Sequence, residues 1–153
     1  VFQATGNASP AAVPAKGKYM LKDLARFAAR YGVPMRFNPH FPINTLVLMR
    51  GAVGLQLREP QRFEGYVAAM FRAMWVEGRN MGDPTIVGEA LAQAGFDAQA
   101  VLALTAEAAV KDALKANTEE SVRRGAFGAP TMFIGDQMFF GQDRLDFVRE
   151  ALA

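Results

Sequence analysis

Residues 125–144 read GAFGAPTMFIGDQMFFGQDR, and they differ in character from the rest of the chain. Two glycines and a proline interrupt a helical pattern, and the run Thr131–Ile134 that follows is typical of a strand. Gly135-Asp136 has the composition of a two-residue hairpin turn, so Gln137–Phe140 is predicted to be the returning strand. An apolar stripe at helical spacing then predicts a last helix, so the chain ends as strand, strand and helix.

The sequence before this stretch predicts six helices between residues 18 and 124. The first covers residues 18–31, and Asn44, Asp97 and Thr105 are the side chains expected to cap three of the later ones. A single hairpin is only marginally stable, because a sheet normally needs three or more strands to hold an apolar face. The pattern therefore lacks strands that the hairpin would need.

Composition excludes several classes of function. The 153 residues carry 17 Lys and Arg against 15 Asp and Glu, and this balance does not indicate a nucleic-acid partner. Cysteine is absent and His40 is the single histidine, so neither a disulfide nor a Cys or His metal site is expected. No apolar stretch reaches the about 18 residues of a membrane helix, and no secretory signal is recognisable. We expect a soluble, cytoplasmic protein without a metal.

Two segments near the C-terminus could bind a peptide-like ligand. An X-Pro bond at a strand entrance can be cis, which would leave the N–H and C=O of Ala129, before Pro130, free to pair with an extended peptide. The first N–H groups of the last helix, at Gln142, Asp143 and Arg144, could hold a ligand carboxylate, and the Asp143 carboxylate could hold an ammonium group. Alternatively, Pro130 is a trans turn proline and Asp143 an ordinary N-cap.

Five segments carry a family resemblance: TGN at 5–7, VPAKGKYM at 13–20, FPINTL at 41–46, GAFGAPT at 125–131 and FGQDRL at 140–145. In this order they resemble the glutathione-dependent 2-hydroxychromene-2-carboxylate isomerases, which are similar to kappa-class glutathione transferases and to DsbA-like oxidoreductases. The resemblance implies a thioredoxin-like fold of the α/β class, mostly α in this chain, in which a C-terminal β-hairpin plus helix follows a large all-helical insertion.

This resemblance divides the chain into three parts. We expect an extended loop at residues 1–17, the helical insertion domain at residues 18–124 and the C-terminal half of the thioredoxin-like domain at residues 125–153. The family's first strand–helix–strand unit would precede residue 1, which explains the missing strands. That unit carries the Ser or Cys that faces the glutathione sulfur, so no catalytic nucleophile is expected within residues 1–153.

The resemblance also implies half of a glutathione-binding site. Ala129 would pair through its backbone with the cysteinyl unit of glutathione, beside a cis Pro130. Gln142, Asp143 and, by the same match, Arg144 would hold the γ-glutamyl end.

Five further residues match positions near the ligands of the family. Asn7 matches an asparagine that looks toward glutathione, and Lys16 matches a lysine that meets the glycyl carboxylate as a point charge. His40, Phe41 and Asn44 match the region near the insertion where the organic substrate lies. Each of these matches has a structural alternative. Asn7 can be a turn residue and Lys16 a surface charge, and the three substrate residues can belong to a proline-rigid loop that ends in a helix cap.

The function implied is an isomerase that uses glutathione as its cofactor in aromatic compound catabolism. The glutathione thiolate adds to a small conjugated aromatic acid, allows rotation about the transiently single bond and is eliminated. A kappa-like glutathione transferase or peroxidase is the alternative, followed by a DsbA-like oxidoreductase and by a truncated, non-catalytic module that pairs its hairpin edge with another chain. We expect a homodimer.

Overall fold

A computed structural model describes residues 1–153 and contains eight α-helices, three short 3-10 helices and one two-stranded sheet. The 3-10 helices are Pro10–Ala12, Pro60–Arg62 and Gln142–Arg144, and the strands are β1 (Thr131–Ile134) and β2 (Gln137–Phe140). No helix combines the length and the apolar character that crossing a membrane requires. The α-helices are α1 (Phe2–Thr5), α2 (Pro14–Tyr31), α3 (Leu46–Arg58), α4 (Phe63–Trp75), α5 (Pro84–Gln93), α6 (Ala98–Leu104), α7 (Ala108–Arg123) and α8 (Leu145–Leu152).

Residues 1–17 are more helical than the extended loop that the sequence predicts. Helix α1 and a 3-10 turn occupy part of this segment, and α2 begins at Pro14 instead of residue 18. Proline suits the first turn of a helix, because its missing N–H has no intrahelical partner there. The helix was expected to follow Pro14, and the apolar stripe over residues 18–31 that predicted it lies within α2.

One of the three predicted helix caps is confirmed and two are displaced. The Oδ1 atom of Asp97 accepts a backbone N–H at 3.0 Å at the start of α6. Thr105 instead ends α6, and α7 begins after Glu107 without a side-chain cap. Asn44 lies two residues before α3, and its Oδ1 accepts from the N–H of Leu46 at 3.0 Å, so it shapes the turn that leads into the helix.

The hairpin forms at the predicted residues. Its antiparallel register pairs Thr131 with Phe140, and the N–H of Gly141 donates to the C=O of Pro130 at 3.0 Å, one step beyond the strands. Arg124, just after α7, lies with its guanidinium 4.0 Å above the ring of Phe133. The hairpin is thus anchored to α7 at one end, while its other end holds Pro130 and Gly141 side by side.

The buried core lies in α3 to α6 and the loops between them. Eleven buried residues form one cluster, in which Leu55, Met81 and Leu91 are at most 1% exposed. By contrast, α1, α2 and α8 contain no buried residue, and neither does the hairpin. The helical part is therefore packed, whereas the C-terminal part carries apolar side chains such as Phe147 and Leu152 on its surface.

The close approach of α3 to α6 depends on Gly54, where a Cβ would lie 2.9 Å from the Cβ of Leu104. Because that atom cannot move without its helix, we expect Gly54→Ala to lower the free energy of unfolding by about 1 kcal/mol, even after its gain in helix propensity. Gly88→Ala in α5 is the matched control, since a Cβ there meets no atom within 4 Å. It should raise the free energy of unfolding by about 0.5–1 kcal/mol. Chemical denaturation measures both changes, and stabilisation by Gly54→Ala would contradict the close packing.

Candidate functional site

Ala129 presents both of its backbone polar groups to solvent. Neither its N–H nor its C=O has a hydrogen-bond partner within the chain, and the residue is exposed. The Ala129–Pro130 peptide bond is cis. A free N–H and a free C=O on one residue are the groups by which an extended peptide adds to a strand edge. Ala129 can therefore accept the backbone of a bound peptide.

Asn7 reaches the same loop from the opposite end of the chain. Its Nδ2 donates to the C=O of Phe127 at 2.8 Å, and its Oδ1 accepts from the N–H of Ala8 at 2.8 Å. A Cβ on Gly128 would lie 3.8 Å from the same Nδ2. Since a side-chain amide has a second N–H, Asn7 can hold the loop and still offer a donor to a ligand.

A cavity of about 470 Å³ opens beside this loop, and we call it the Ala129 cavity. Val1, Phe2 and Gln3 line one side, and Gly128 and Ala129 line the other. Its walls come from both ends of the chain, so its shape depends on the contact between the N-terminal segment and the loop.

Gln142, Asp143 and Arg144 form a short 3-10 helix ahead of α8, not the first turn of an α-helix as predicted. The N–H of Arg144 donates to the C=O of Gly141 at 3.2 Å, whereas those of Gln142 and Asp143 have no acceptor in the chain. The tighter turn begins at Gly141, whose φ of +102° favours glycine. Two of the three N–H groups predicted to bind a carboxylate are therefore free.

The Asp143 carboxylate is paired with its own neighbour. Its Oδ2 accepts from Nη1 of Arg144 at 2.9 Å, and the two side chains are 44% and 49% exposed. An exposed pair of this kind contributes little stability, so a ligand ammonium can take the place of the guanidinium. The hydroxyl of Tyr31 donates to the C=O of Gln142 at 3.4 Å, which ties this turn to α2.

The hydrogen bond between Gly141 and Pro130 places Ala129 and the 142–144 turn at the same end of the hairpin. The structure thus brings together most of the residues predicted to bind glutathione. Lys16 is the exception, because it lines a separate cavity on α2 and shares no hydrogen bond with the others. No group of three or more His, Cys, Asp or Glu side chains is arranged to hold a metal ion.

The three residues predicted to bind the organic substrate are close together in the chain but have different surroundings in the structure. Phe41 belongs to an aromatic cluster in which its ring centroid lies 5.7 Å from that of Phe37 and 5.9 Å from that of Trp75. His40 is exposed. Its backbone N–H donates a hydrogen bond to the Oδ1 of Asn38, and its imidazole makes no hydrogen bond within the chain. Asn44 alone lines a cavity large enough for an organic ligand.

That cavity is a cleft of about 850 Å³ between α3 and α7, which we call the α3–α7 cleft. Leu46 and Met49 of α3 and Leu114 of α7 form its apolar wall, and Arg50 and Lys111 lie beside them. Neither cation is among the residues predicted from the sequence. The only sequence feature that could have drawn attention to Arg50 is its position directly after an apolar run. The packing of α3 on α7, which brings Arg50 and Lys111 into one cleft, cannot be inferred from the residue pattern of either helix.

Comparison with known proteins identifies the family of this chain. A family model described as a DSBA-like thioredoxin domain matches residues 1–153. The chain belongs to the DsbA-like thioredoxin domain family. A relative in this DsbA-like family, 2-hydroxychromene-2-carboxylate isomerase from Sphingobium xenophagum, is 32% identical over 151 residues, which cover 97% of this chain and 75% of that protein. Glutathione S-transferase kappa 2 from Caenorhabditis elegans is 32% identical over 156 residues, covering 94% and 69%.

A solved structure of a 2-hydroxychromene-2-carboxylate isomerase matches the DsbA-like chain with a TM-score of 0.77 at 28% identity. The match covers 95% of this chain and 70% of that one. The predicted fold is confirmed as a DsbA-like thioredoxin fold, mostly helical, with a small antiparallel sheet. The named relatives are isomerases and glutathione transferases, which supports an enzyme of this family.

Proposed function

We propose that this protein is a glutathione-dependent isomerase of the 2-hydroxychromene-2-carboxylate type, acting on a conjugated aromatic acid. The observation that carries the proposal is the free backbone of Ala129 next to the free N–H groups of Gln142 and Asp143. Glutathione is a short peptide with a carboxylate and an ammonium at its γ-glutamyl end. These residues fit it, because they offer a strand edge for its backbone and donors for its carboxylate.

Each residue then has a defined task. Ala129 pairs with the cysteinyl unit and aligns the peptide along the open end of the hairpin, beside Pro130. The N–H groups of Gln142 and Asp143 hold the γ-glutamyl carboxylate, while the Asp143 side chain exchanges Arg144 for the ammonium group. When bound, glutathione supplies a thiol whose thiolate is the nucleophile of this chemistry.

Two residues support this arrangement from the N-terminal segment. Asn7 fixes the loop that carries Ala129, through its 2.8 Å hydrogen bond to the C=O of Phe127. Lys16 lines a separate cavity on α2 and takes part in no ion pair, and the family resemblance makes it the proposed partner of the glycyl carboxylate at the other end of the peptide. Residues 1–153 contain no Cys, so this part of the protein contributes no sulfur to the reaction in this proposal.

A kappa-like glutathione transferase is the second candidate, because the relatives include a kappa-class transferase at 32% identity. Both candidates use the same glutathione site. They differ in whether the organic product keeps the glutathionyl group, which mass spectrometry of the products detects directly.

Calorimetric titration of the protein with reduced glutathione tests the proposal. We expect one binding site with a dissociation constant of about 0.1–10 mM, since few charged contacts are involved. Cysteinylglycine, which lacks the γ-glutamyl unit, is the control ligand and should bind at least about tenfold more weakly, because it leaves the Gln142 and Asp143 groups unused. Equal binding of the two ligands, or no heat with glutathione at about 20 mM, would refute the proposed site.

A further inference from the structure

Arg50 is a cation without a partner. It lies on α3, is partly buried and takes part in no ion pair, and its Nε atom is enclosed without any hydrogen-bond acceptor. A guanidinium group has several N–H donors, and a buried donor left unpaired costs about 1–3 kcal/mol. The Nη groups of the same guanidinium also make no hydrogen bond within the chain, and they are not enclosed, so they are the donors that a ligand acceptor in the cleft can meet.

The surroundings of Arg50 indicate which ligand would fit. It lines the α3–α7 cleft beside the apolar side chains of Leu46, Met49 and Leu114. Lys111 lies in the same cleft and also has no ion pair. The apolar wall and the unpaired cations together suit a flat organic anion. Its ring would pack on the apolar side chains, and its charged group would bind the guanidinium.

Acidic residues in the cleft do not cancel this charge. Glu119 is paired with Lys115 at 3.7 Å, and both of these side chains are largely exposed. Asp112 is exposed and follows Lys111 on α7. The unpaired groups are thus two cations against one carboxylate, so the cleft favours an anion.

The α3–α7 cleft also adjoins the proposed glutathione site. Val1 lines both this cleft and the Ala129 cavity, and Asn44, one of the predicted substrate residues, lines the cleft as well. A ligand in the cleft would therefore lie next to a peptide held by Ala129.

We propose that the α3–α7 cleft binds the aromatic carboxylate substrate, with Arg50 as the direct partner of the carboxylate. Lys111 adds a second positive charge, and Leu46, Met49 and Leu114 contact the aromatic ring. The identity of the ligand as substrate rests on the proposed function, whereas the preference for a carboxylate rests on the cleft itself.

Calorimetry with two probes tests the carboxylate preference: 2-naphthoate, a flat aromatic carboxylate, and 2-naphthamide, its neutral counterpart of nearly the same shape. The native protein should bind naphthoate at least about tenfold more tightly, because a hydrogen bond to a charged group contributes about 1.5–3 kcal/mol. Arg50→Met keeps an apolar side chain in place and should abolish this preference without changing the affinity for naphthamide. Lys111→Met should reduce the preference only about threefold, because an exposed charge acts through solvent.

Arg26→Met on α2 is the matched control, since Arg26 faces Asp23 and does not line the cleft. It should leave both affinities unchanged. Equal affinities of the native protein for the two probes would overturn the proposal, and so would a preference that survives Arg50→Met in a protein with native circular dichroism. A parallel glutathione titration separates the two proposals. A carboxylate preference without glutathione binding keeps the cleft assignment and refutes the proposed function. Glutathione binding without a carboxylate preference keeps the proposed function and refutes the cleft assignment.

Discussion

Replacing Asn38 with leucine is expected to lower the free energy of unfolding by about 2 kcal/mol, because it leaves the C=O of Met74 and the N–H of His40 unpaired at about 1 kcal/mol each. The C=O of Arg79 keeps the N–H of Met81 as a partner. Asn38 is fully buried, and its Nδ2 donates to the C=O of Met74 at 2.9 Å and to that of Arg79 at 2.8 Å. Its Oδ1 accepts from the N–H of His40 at 2.8 Å. Leucine has a similar volume, so the loss reports on hydrogen bonds and not on a cavity.

The same substitution should release the loop that Asn38 connects to α4. Trp75 is the single tryptophan, and the rings of Phe37 and Phe41 pack against it. We therefore expect the tryptophan emission of the folded variant to shift to longer wavelength as this packing loosens. Asn117→Leu on the exposed face of α7 is the control, and its stability should change by less than about 0.5 kcal/mol. An Asn38→Leu variant as stable as this control would contradict the assigned role.

Asp143→Asn is expected to weaken glutathione binding by about fivefold, the effect of losing one ion pair of about 1 kcal/mol at a half-exposed carboxylate. Asparagine keeps the shape of the side chain and the turn but removes the negative charge proposed to meet the γ-glutamyl ammonium. Asp146→Asn is the matched control. Asp146 is a neighbouring carboxylate, 80% exposed and paired with Arg149 at 3.2 Å, and its loss should leave the affinity unchanged.

A modified ligand makes the Asp143 test specific. N-acetylglutathione lacks the ammonium group, so the native protein should bind it about as weakly as the Asp143→Asn variant binds glutathione. The Asp143→Asn variant should bind N-acetylglutathione with little further loss of affinity, because each change alone already removes the same interaction. Full affinity of the native protein for N-acetylglutathione would show that Asp143 does not bind the ammonium group.

The parts of the molecule that sequence reasoning predicted well are encoded by residues close together in the chain. Gly135-Asp136 has the composition of a two-residue hairpin turn, and the structure has both strands at the predicted residues. The 142–144 turn was harder, because the positive φ of Gly141 tightens the backbone into a 3-10 helix before α8. Residues at 140–145 that resemble a family motif do not reveal which of their N–H groups stay unpaired.

The candidate site required information that no local pattern holds. The hydrogen bond from Asn7 to Phe127 joins residues 120 positions apart. Likewise, Arg50 and Lys111 share a cleft only because α3 packs on α7. His40, Phe41 and Asn44 were expected at the substrate from the family resemblance. Of the three only Asn44 lines the cleft, while the ring of Phe41 packs against Phe37 and Trp75.

All buried side chains lie between Asn38 and Ala126, and the hairpin and α8 contain none. Local opening therefore exposes the hairpin amides at a much lower free energy than global unfolding does. We expect their hydrogens to exchange with solvent faster than the amide hydrogens of α3 to α5. A ligand held by Ala129 and the 142–144 turn adds stability to this loosely protected region by mass action. Amide exchange in this sparsely buried part of the chain consequently reports whether the site is filled.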